Sequence, residues 1–574
     1  LAGSIILERK GEPSEAFPDA RPTRMTDGSG ETRYCHDRFG NLTRKVQVTN
    51  GQTFTLRYAY TKAGQLSAIQ YPDGMQVDYV RDGLGRATEV GVTPSGGVRQ
   101  VLLTGATYHP FGPVAGWTFG NGRRMSRTLD LDYRPKTILS TGTGAGGLNL
   151  GFGWDAVGNL GSLHTSGLEQ PPRITFSYDA QNRLTAFKDG PTGATIEGYT
   201  YDATGNRISF TNGGATHLYE YHTDSHRLGA VDSVARTYDA VGNTLSIAGT
   251  DREFGYNAAG RMSRTERNNA LVMEYSYNGR GEQVRRQRAG GRTYSLNDES
   301  GRWLGEYAAD GLPAQQVIWL DDLPVGLITE GSVRFLESDH LGTPRAVIDA
   351  ASDDAVWTWD LAGEAFGNSI PNQDPDADGV PFSFDMRFPG QRYDSATGLN
   401  YNVHRDYEAG TGRYVQSDPL GLHAGISTYG YVEAAPLTGI DPLGLQRVRP
   451  GAGWWEIVPP PPGTDGESSP VINQGPTLND LLSSLAEMLP ESDEVKRQRE
   501  YEEAKKFCDT PPPNGGNECS NLSKAIGHGE KVSELYTRWD VRWCPGRHGI
   551  KIYQWQMRLL NLKQEHRRKC TSKY

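Results

Sequence analysis

Tyr201-Asp202-Ala203-Thr204-Gly205-Asn206-Arg207 is the stretch whose reading decides the fold. Nearly the same words recur as Tyr238-Asp239-Ala240-Val241-Gly242-Asn243-Thr244-Leu245. Related units open at Tyr34, Tyr60, Tyr79, Tyr178, Tyr256 and Tyr277, with a tryptophan version at Trp154, and neighbours are commonly 18 to 24 residues apart. Their central turn residues are Gly40, Gly64, Gly85, Gly158, Asn182, Gly205, Gly242, Gly260 and Gly281. Asp or Asn followed three residues later by Gly brackets a tight turn, where Gly, or Asn182 in its place, tolerates left-handed backbone. The flanks alternate, as in Ile174-Thr175-Phe176-Ser177-Tyr178 and Glu274-Tyr275-Ser276-Tyr277, which is the period-2 signature of strands. A repeat of this length holds two strands and two turns, and stacked hairpins that bury a shared face make one long sheet. Composition agrees. Gly is 71 of 574 residues, well above the roughly 7% of an average chain. Aromatics at 10% exclude a disordered chain.

A denser stretch follows the repeats. It contains Leu336-Glu337-Ser338-Asp339-His340-Leu341-Gly342-Thr343-Pro344-Arg345, then Trp357-Thr358-Trp359-Asp360 and Gly363-Glu364-Ala365-Phe366-Gly367. Phe388-Pro389-Gly390-Gln391-Arg392-Tyr393-Asp394 and Gly398-Leu399-Asn400-Tyr401-Asn402 come next, and Gly412-Arg413-Tyr414-Val415-Gln416-Ser417-Asp418-Pro419 closes the run. Residues 368–379, rich in Asp, Pro and Asn, read as a surface insertion. Two copies of one pentapeptide, Asp418-Pro419-Leu420-Gly421-Leu422 and Asp441-Pro442-Leu443-Gly444-Leu445, lie 23 residues apart. One Asp-Pro-x-Gly is ordinarily a turn. Two at the end of such a segment point instead to paired carboxylates. Like charges held close split their titrations, so one stays protonated as acid while the other activates water. His340, His404 and Arg405 read as packing or turn residues.

The repeats resemble the YD repeats of the Rhs, toxin-complex and teneurin superfamily, and residues 335–445 resemble the Rhs-associated core in motifs and order. The resemblance spans about residues 30–445 and implies a mainly β fold. Its expected parts are a YD-repeat hairpin shell, or cocoon, over 1–330 and an Rhs core plug over 331–445. A linker with short helices over 446–517 and a small α-helical, cysteine-containing C-terminal domain over 518–574 follow. On the repeats alone an ordinary β-solenoid or propeller is the alternative. The resemblance further implies an aspartyl autoprotease, with Asp418 and Asp441 as the catalytic pair, Arg413 as the arginine that orients a carboxylate or stabilises the oxyanion, and Leu445–Gln446 as the cleaved bond. The chain departs from the family at Ala435-Pro436-Leu437-Thr438, where Asn-Pro-x-Asn is usual, and slower cleavage is expected there.

The tail changes composition. Pro459-Pro460-Pro461-Pro462 and its Gly/Ser/Asp surroundings favour extended chain. Leu478, Leu481, Leu482, Leu485 and Met488 or Leu489 fall at helical spacing before Pro490, predicting a short amphipathic helix. Helices are expected over about 520–539 and 548–569, joined at Cys544-Pro545-Gly546-Arg547. Cys508, Cys519, Cys544 and Cys570 crowd the last 67 residues. They are read as disulfides of an oxidising destination, of pairing that the sequence leaves open, with free thiols and a metal site as alternatives. Residues 446–519 carry 7 Lys/Arg against 13 Asp/Glu, whereas 520–574 carry 12 against 4. The net charges are therefore −6 and +8. By position the tail is the family's variable toxin. A nucleic-acid-directed enzyme suits the basic segment, with His528, Asp540, Arg547, His548 and Lys551 as candidate acid, base and phosphate contacts. A basic, tryptophan-rich hairpin at an anionic bilayer and a non-catalytic stapled cap are the alternatives.

No window offers the apolar run of a transmembrane span. No signal peptide is visible, and a C-terminal portion of a longer protein is expected. The resemblance implies a secreted or cell-surface toxin delivered into a target cell, with a cognate immunity protein and export-machinery or adaptor proteins as partners. No cofactor or metal is expected. A non-cleaved structural or cell-surface YD-repeat protein is the competing function.

Overall fold

The computed structural model describes residues 6–9 and 22–448, apart from residues 166, 169, 170 and 224. The chain divides into two compact units, Leu1–Pro476 and Thr477–Tyr574. The second, with the helices expected in the tail, lies outside the described residues, as does nearly all of the linker.

The fold builds up from the turn. Tyr201 pairs with Arg207 across an antiparallel register. Between them Asp202 Oδ1 accepts the backbone N–H groups of Thr204 at 2.8 Å and Asn206 at 2.9 Å, and Oδ2 accepts the Asn206 side-chain amide at 2.9 Å. One carboxylate therefore satisfies donors that the tight turn would otherwise leave without a partner. Gly205 adopts φ 87° and Asn182, in the equivalent place, 62°, the left-handed region that these two residue types tolerate best.

In most units the tyrosine ties its turn to the one before it, whereas Tyr79 Oη donates to Trp319 O at 3.1 Å instead. Tyr201 Oη donates to Leu184 O at 2.8 Å, Tyr178 Oη to Leu160 O at 2.9 Å, Tyr256 Oη to Thr244 O at 2.7 Å and Tyr277 Oη to Met262 O at 2.7 Å. In each case the acceptor is the first residue after the preceding turn. Trp154 Nε1 makes the same bond to Pro135 O at 2.6 Å, and Trp319 Nε1 to Trp303 O at 3.0 Å. The rings lie along the sheet face between successive hairpins, where an amphipathic side chain can bury its ring and still find a hydrogen-bond partner.

Thirty-three strands join into one sheet among the described residues. Each is antiparallel to its sequence neighbours, from Ile6–Arg9 and Pro22–Asp27 through Pro344–Asp349 and Ala355–Thr358. The ladder thus continues past residue 330 into the Asp339-His340-Leu341-Gly342 segment. Strands alternate as expected. In Gln52–Tyr60 the residues Phe54, Leu56 and Tyr58 are buried and those between them are not.

Distant strands meet over this buried face. Lys45 Nζ donates to Asn297 O at 2.8 Å, and Tyr71 Oη to Val317 O at 2.8 Å. Phe119 stacks on Phe335 with ring centroids 4.4 Å apart. Arg123 is buried against Asp353 at 2.6 Å. Lys45 and Arg123 are among the most deeply buried side chains, which is tolerable only because each is paired.

Beyond Thr358 the chain leaves the ladder and forms a four-stranded meander, Arg392–Asp394, Leu399–Asn402, Arg405–Glu408 and Arg413–Tyr414. It docks on the repeats between residues 206 and 283. Arg236 holds Glu408 through two bonds of 2.7 and 2.9 Å, Tyr275 Oη donates to Asp394 Oδ2 at 2.7 Å, and Gln283 N–H donates to Tyr401 Oη at 2.8 Å. No helix among the described residues is long and apolar enough to cross a membrane.

These observations set a stability order. Tyr256→Phe, which removes only the hydroxyl, should cost about 1 kcal/mol. Asp239→Ala should cost about 2 kcal/mol, because Val241 N–H, Asn243 N–H and the Asn243 amide all lose their acceptor. Urea midpoints of the two variants beside wild type measure both. Equal effects would mean that the carboxylate does not organise the turn.

Candidate functional site: a buried aspartate pair

The short meander brings the site together. Asp418 and Asp441 are 6% and 2% exposed, and one guanidinium joins them: Arg405 Nη2 lies 2.7 Å from Asp418 Oδ2 and 3.4 Å from Asp441 Oδ2. Arg405 is fixed in turn. Its Nε donates to Gly444 O at 2.6 Å and its Nη1 to Thr428 O at 3.2 Å, and its plane lies 3.7 Å from the centroid of the Tyr414 ring. Tyr414 Oη donates to Asp441 Oδ2 at 2.7 Å, while Asn402 Nδ2 donates to Tyr414 Oη at 2.8 Å and to Asp441 O at 2.9 Å. Asn402, Arg405 and Tyr414 come from three adjacent strands of the meander.

The two Asp-Pro segments approach this platform differently. Asp418 Oδ1 accepts the Leu420 N–H at 2.8 Å, an ordinary turn bond. Asp441 Oδ1 instead accepts the N–H of Leu445 at 2.9 Å and of Gln446 at 3.1 Å. The second aspartate is therefore bonded to the nitrogen of the Leu445–Gln446 peptide. Glycines let the backbones close in. A Cβ on Gly390 would fall 1.9 Å from Pro442 O, and one on Gly444, where φ is 69°, would fall 2.4 Å from Asn402 O. Beyond Gln446, Val448 pairs with Ile440 through two backbone bonds of 2.8 and 3.0 Å. A cavity of about 270 Å³ opens beside the pair and is lined by both aspartates, Arg405, Leu445 and Gln446.

Burial dominates the electrostatics. It pushes the Asp418 carboxyl up to about 6, with Arg405 and the Leu420 N–H pulling the other way and Asp441 adding to the rise. Asp441 is also raised by burial, against Arg405, Tyr414 and the Leu445 and Gln446 amides. A pair so placed retains a proton closer to neutrality than isolated carboxylates do.

The expected residues fall as follows. Asp418, Asp441, Leu445 and Gln446 meet at one place. Arg413 lines the same cavity, but its guanidinium turns to the repeats: Nη1 donates to Tyr221 Oη at 2.7 Å, Nη2 donates to His226 O, and the plane packs over the Tyr221 and Tyr429 rings. The arginine on the carboxylates is Arg405, which the sequence reading took for a packing residue. His340 Nε2 donates to Leu437 O at 2.9 Å, and the ring packs on Phe152. Of the unusual segment, Ala435 is buried, and Thr438 Oγ1 accepts from Arg447 Nη2 at 3.1 Å. His528, Asp540, Arg547, His548, Lys551 and the four tail cysteines lie outside the described residues. Among the described residues the acids near enough to share a cation are Asp374, Asp376 and Asp378, on the surface insertion.

The teneurin YD-shell model matches residues 123–424. The Toxin protein Tse5 of Pseudomonas aeruginosa is 26% identical over 74% of this chain and 37% of its own length. The Probable deoxyribonuclease RhsB of Dickeya dadantii is 25% identical over 68% of this chain and 26% of its own, and the Double-stranded DNA deaminase toxin A of Burkholderia cenocepacia 24% over 73% and 29%. The chain thus spans well under half of the curated relatives it matches. The crystal structure of TcdB2-TccC3-Cdc42 superposes with a TM-score of 0.63 at 18% identity, over 77% of this chain and 25% of that one. That likeness shows the fold.

The geometry separates the two arginines. Arg405→Met should move the titration of the aspartate pair up by about one pH unit or more, since an adjacent cation holds a carboxyl down by that much. Arg413→Met should leave it in place. Carboxyl ¹³C shifts of aspartate-labelled protein, assigned with Asp418→Asn and Asp441→Asn, measure this. An unmoved pair in Arg405→Met would remove the bridge from the site.

Proposed function

The chain belongs to the Rhs/YD-repeat polymorphic toxin family, whose teneurin YD-shell it carries over residues 123–424, and on that premise we propose that it is a self-cleaving toxin carrier. In this reading the aspartate pair hydrolyses Leu445–Gln446 and frees residues 446–574 as cargo of the β-shell. One observation carries it: the Asp441 carboxylate accepts the N–H of Gln446, the nitrogen that must leave, at 3.1 Å. Asp374, on the surface insertion, also accepts the N–H five residues ahead; at Asp441 that bond lies buried, beside a second carboxylate held by the same arginine.

The chemistry follows from the charges. Asp418, titrating at about 6, is ionised at neutral pH and takes a proton from water as the water oxygen adds to the Leu445 carbonyl carbon. Asp441, more deeply buried, holds the remaining proton. Once addition of water makes the Gln446 nitrogen pyramidal and frees its lone pair, Asp441 changes from acceptor to donor and passes that proton to the nitrogen as the C–N bond breaks. One water is consumed. The Leu445 carboxyl and the Gln446 amine are formed. Arg405 keeps the two carboxyls together through both changes of charge, and Tyr414 orients Asp441 so that Oδ1 faces the peptide.

For the cargo, the reading is a nucleic-acid-directed toxin used between bacteria and delivered into a target cell, guarded by an immunity protein and moved by export or adaptor proteins. Its support is the +8 segment over 520–574 and the deoxyribonuclease and DNA deaminase names of two relatives. Membrane attack and a non-catalytic cap are the outcomes that would replace it. Salt-sensitive degradation or deamination of DNA or RNA by the released fragment separates them from it, whereas dye release from anionic vesicles favours the membrane.

The main test is intact mass. Wild type should resolve into fragments ending at Leu445 and beginning at Gln446, with Asp418→Asn and Asp441→Asn whole. A wild type that stays whole would leave a structural YD-repeat protein as the better reading. Arg405→Lys keeps the charge but loses the fork, and should slow cleavage by about 10²-fold. That slow variant allows timing across pH. Both carboxyls are raised, so the proton needed for the leaving nitrogen is held to higher pH than by an isolated carboxyl and is lost as the pH rises further. Cleavage should therefore be faster at pH 6 than at pH 9.

A further inference from the structure

Residues on the far side of the cut are built into the site. Val448 is buried with Ile440 and Leu341 in a small apolar cluster of its own. It exchanges both backbone hydrogen bonds with Ile440, at 2.8 and 3.0 Å. Arg447 Nη1 lies 2.9 Å from Glu433 Oε2, and its Nη2 donates to Thr438 Oγ1 at 3.1 Å. None of these contacts uses the Leu445–Gln446 bond. Hydrolysis therefore leaves every one of them in place.

Hydrolysis would also create a charge where the structure already holds its opposite. The new ammonium at Gln446 forms where its nitrogen sits 3.1 Å from Asp441 Oδ1. The new amine end is thus attracted to a buried carboxylate, away from bulk water, where such a pair is strongest.

We propose that residues Gln446–Val448 act as a docking strand that holds the severed cargo end on the shell after cleavage, so that scission and release are separate steps. This rests on the cleavage reading above. Residue 446 then fills the site that made it, and the aspartate pair turns over once. Departure of the end requires peeling Val448 from Ile440 and Arg447 from Glu433, and is governed by those contacts and not by the aspartates.

Hydrogen exchange read by mass spectrometry on the full chain tests this, with Asp418→Asn as the uncut reference. Intact mass first establishes that wild type is cut. The cut protein should protect the Ile440 and Val448 amides within about tenfold of the uncut reference. Val448→Pro removes one donor of the pair and should speed exchange at Ile440 by tenfold or more. Cut protein that loses protection at both amides, while the strands before residue 359 keep theirs, would overturn the docking strand and leave cleavage standing. Unchanged Ile440 protection in Val448→Pro would also overturn it. A wild type of full-length mass would overturn the cleavage reading and this inference together.

Discussion

The aspartate of the Tyr-Asp unit, accepting backbone N–H groups two and four residues ahead, is the interaction on which the rest depends. A two-strand unit cannot hold its own turn against water. Here a carboxylate, or the side-chain oxygen of Thr61, Asn257 or Asn278 in its place, closes the turn, and in most units the preceding aromatic ties that turn to the previous one through a bond to the first carbonyl of the return strand. Both bonds are local in sequence, so the ladder can extend one hairpin at a time. The same economy explains the sixth position of the unit. Asn206 and Asn243 bond their own aspartate, whereas Arg183 bonds Asp179 and reaches on to Asp202 O in the next turn at 2.7 Å.

The candidate site uses that grammar for a second purpose. Asp339, still within the ladder, behaves as a turn aspartate: its Oδ1 accepts Leu341 and Thr343 N–H groups and its Oδ2 takes Arg345. Asp418 keeps one such bond. Asp441 keeps the bond four residues ahead and adds one to the fifth, which is the peptide proposed to break. Asp441 is thus a turn carboxylate whose chain has been redirected, by Pro442 and by the close approach of Gly390 and Gly444.

Charged groups buried between the meander and the repeats make the site rigid. Arg236 with Glu408 and Arg413 with Tyr221 and His226 fix the strands that carry Asn402, Arg405 and Tyr414. Each pair is worth little as net stability, since desolvation offsets most of the attraction. Its value lies in register, because a one-residue slip of the meander would point Arg405 away from both aspartates.

The sequence by itself determined the hairpin array, the turn residues and the doubled Asp-Pro segment, because each is written in local spacing; the roles of Asp418 and Asp441 and the Leu445–Gln446 bond came from the family resemblance. Period-2 alternation, an Asp-x-x-Gly turn and a doubled Asp-Pro motif need no knowledge of distant chain. The resemblance also pointed to Arg413, as the match to the family's arginine just before the first aspartate. Only the tertiary structure decided between Arg413 and Arg405. Both sit on the same small meander, and which guanidinium faces the carboxylates depends on strand register and on what the other finds to bind, here Tyr221 and the His226 carbonyl nearly two hundred residues earlier. The pairing of Lys45 with Asn297, of Arg123 with Asp353 and of Val448 with Ile440 was hidden for the same reason: contacts across a wound sheet leave no period in the sequence.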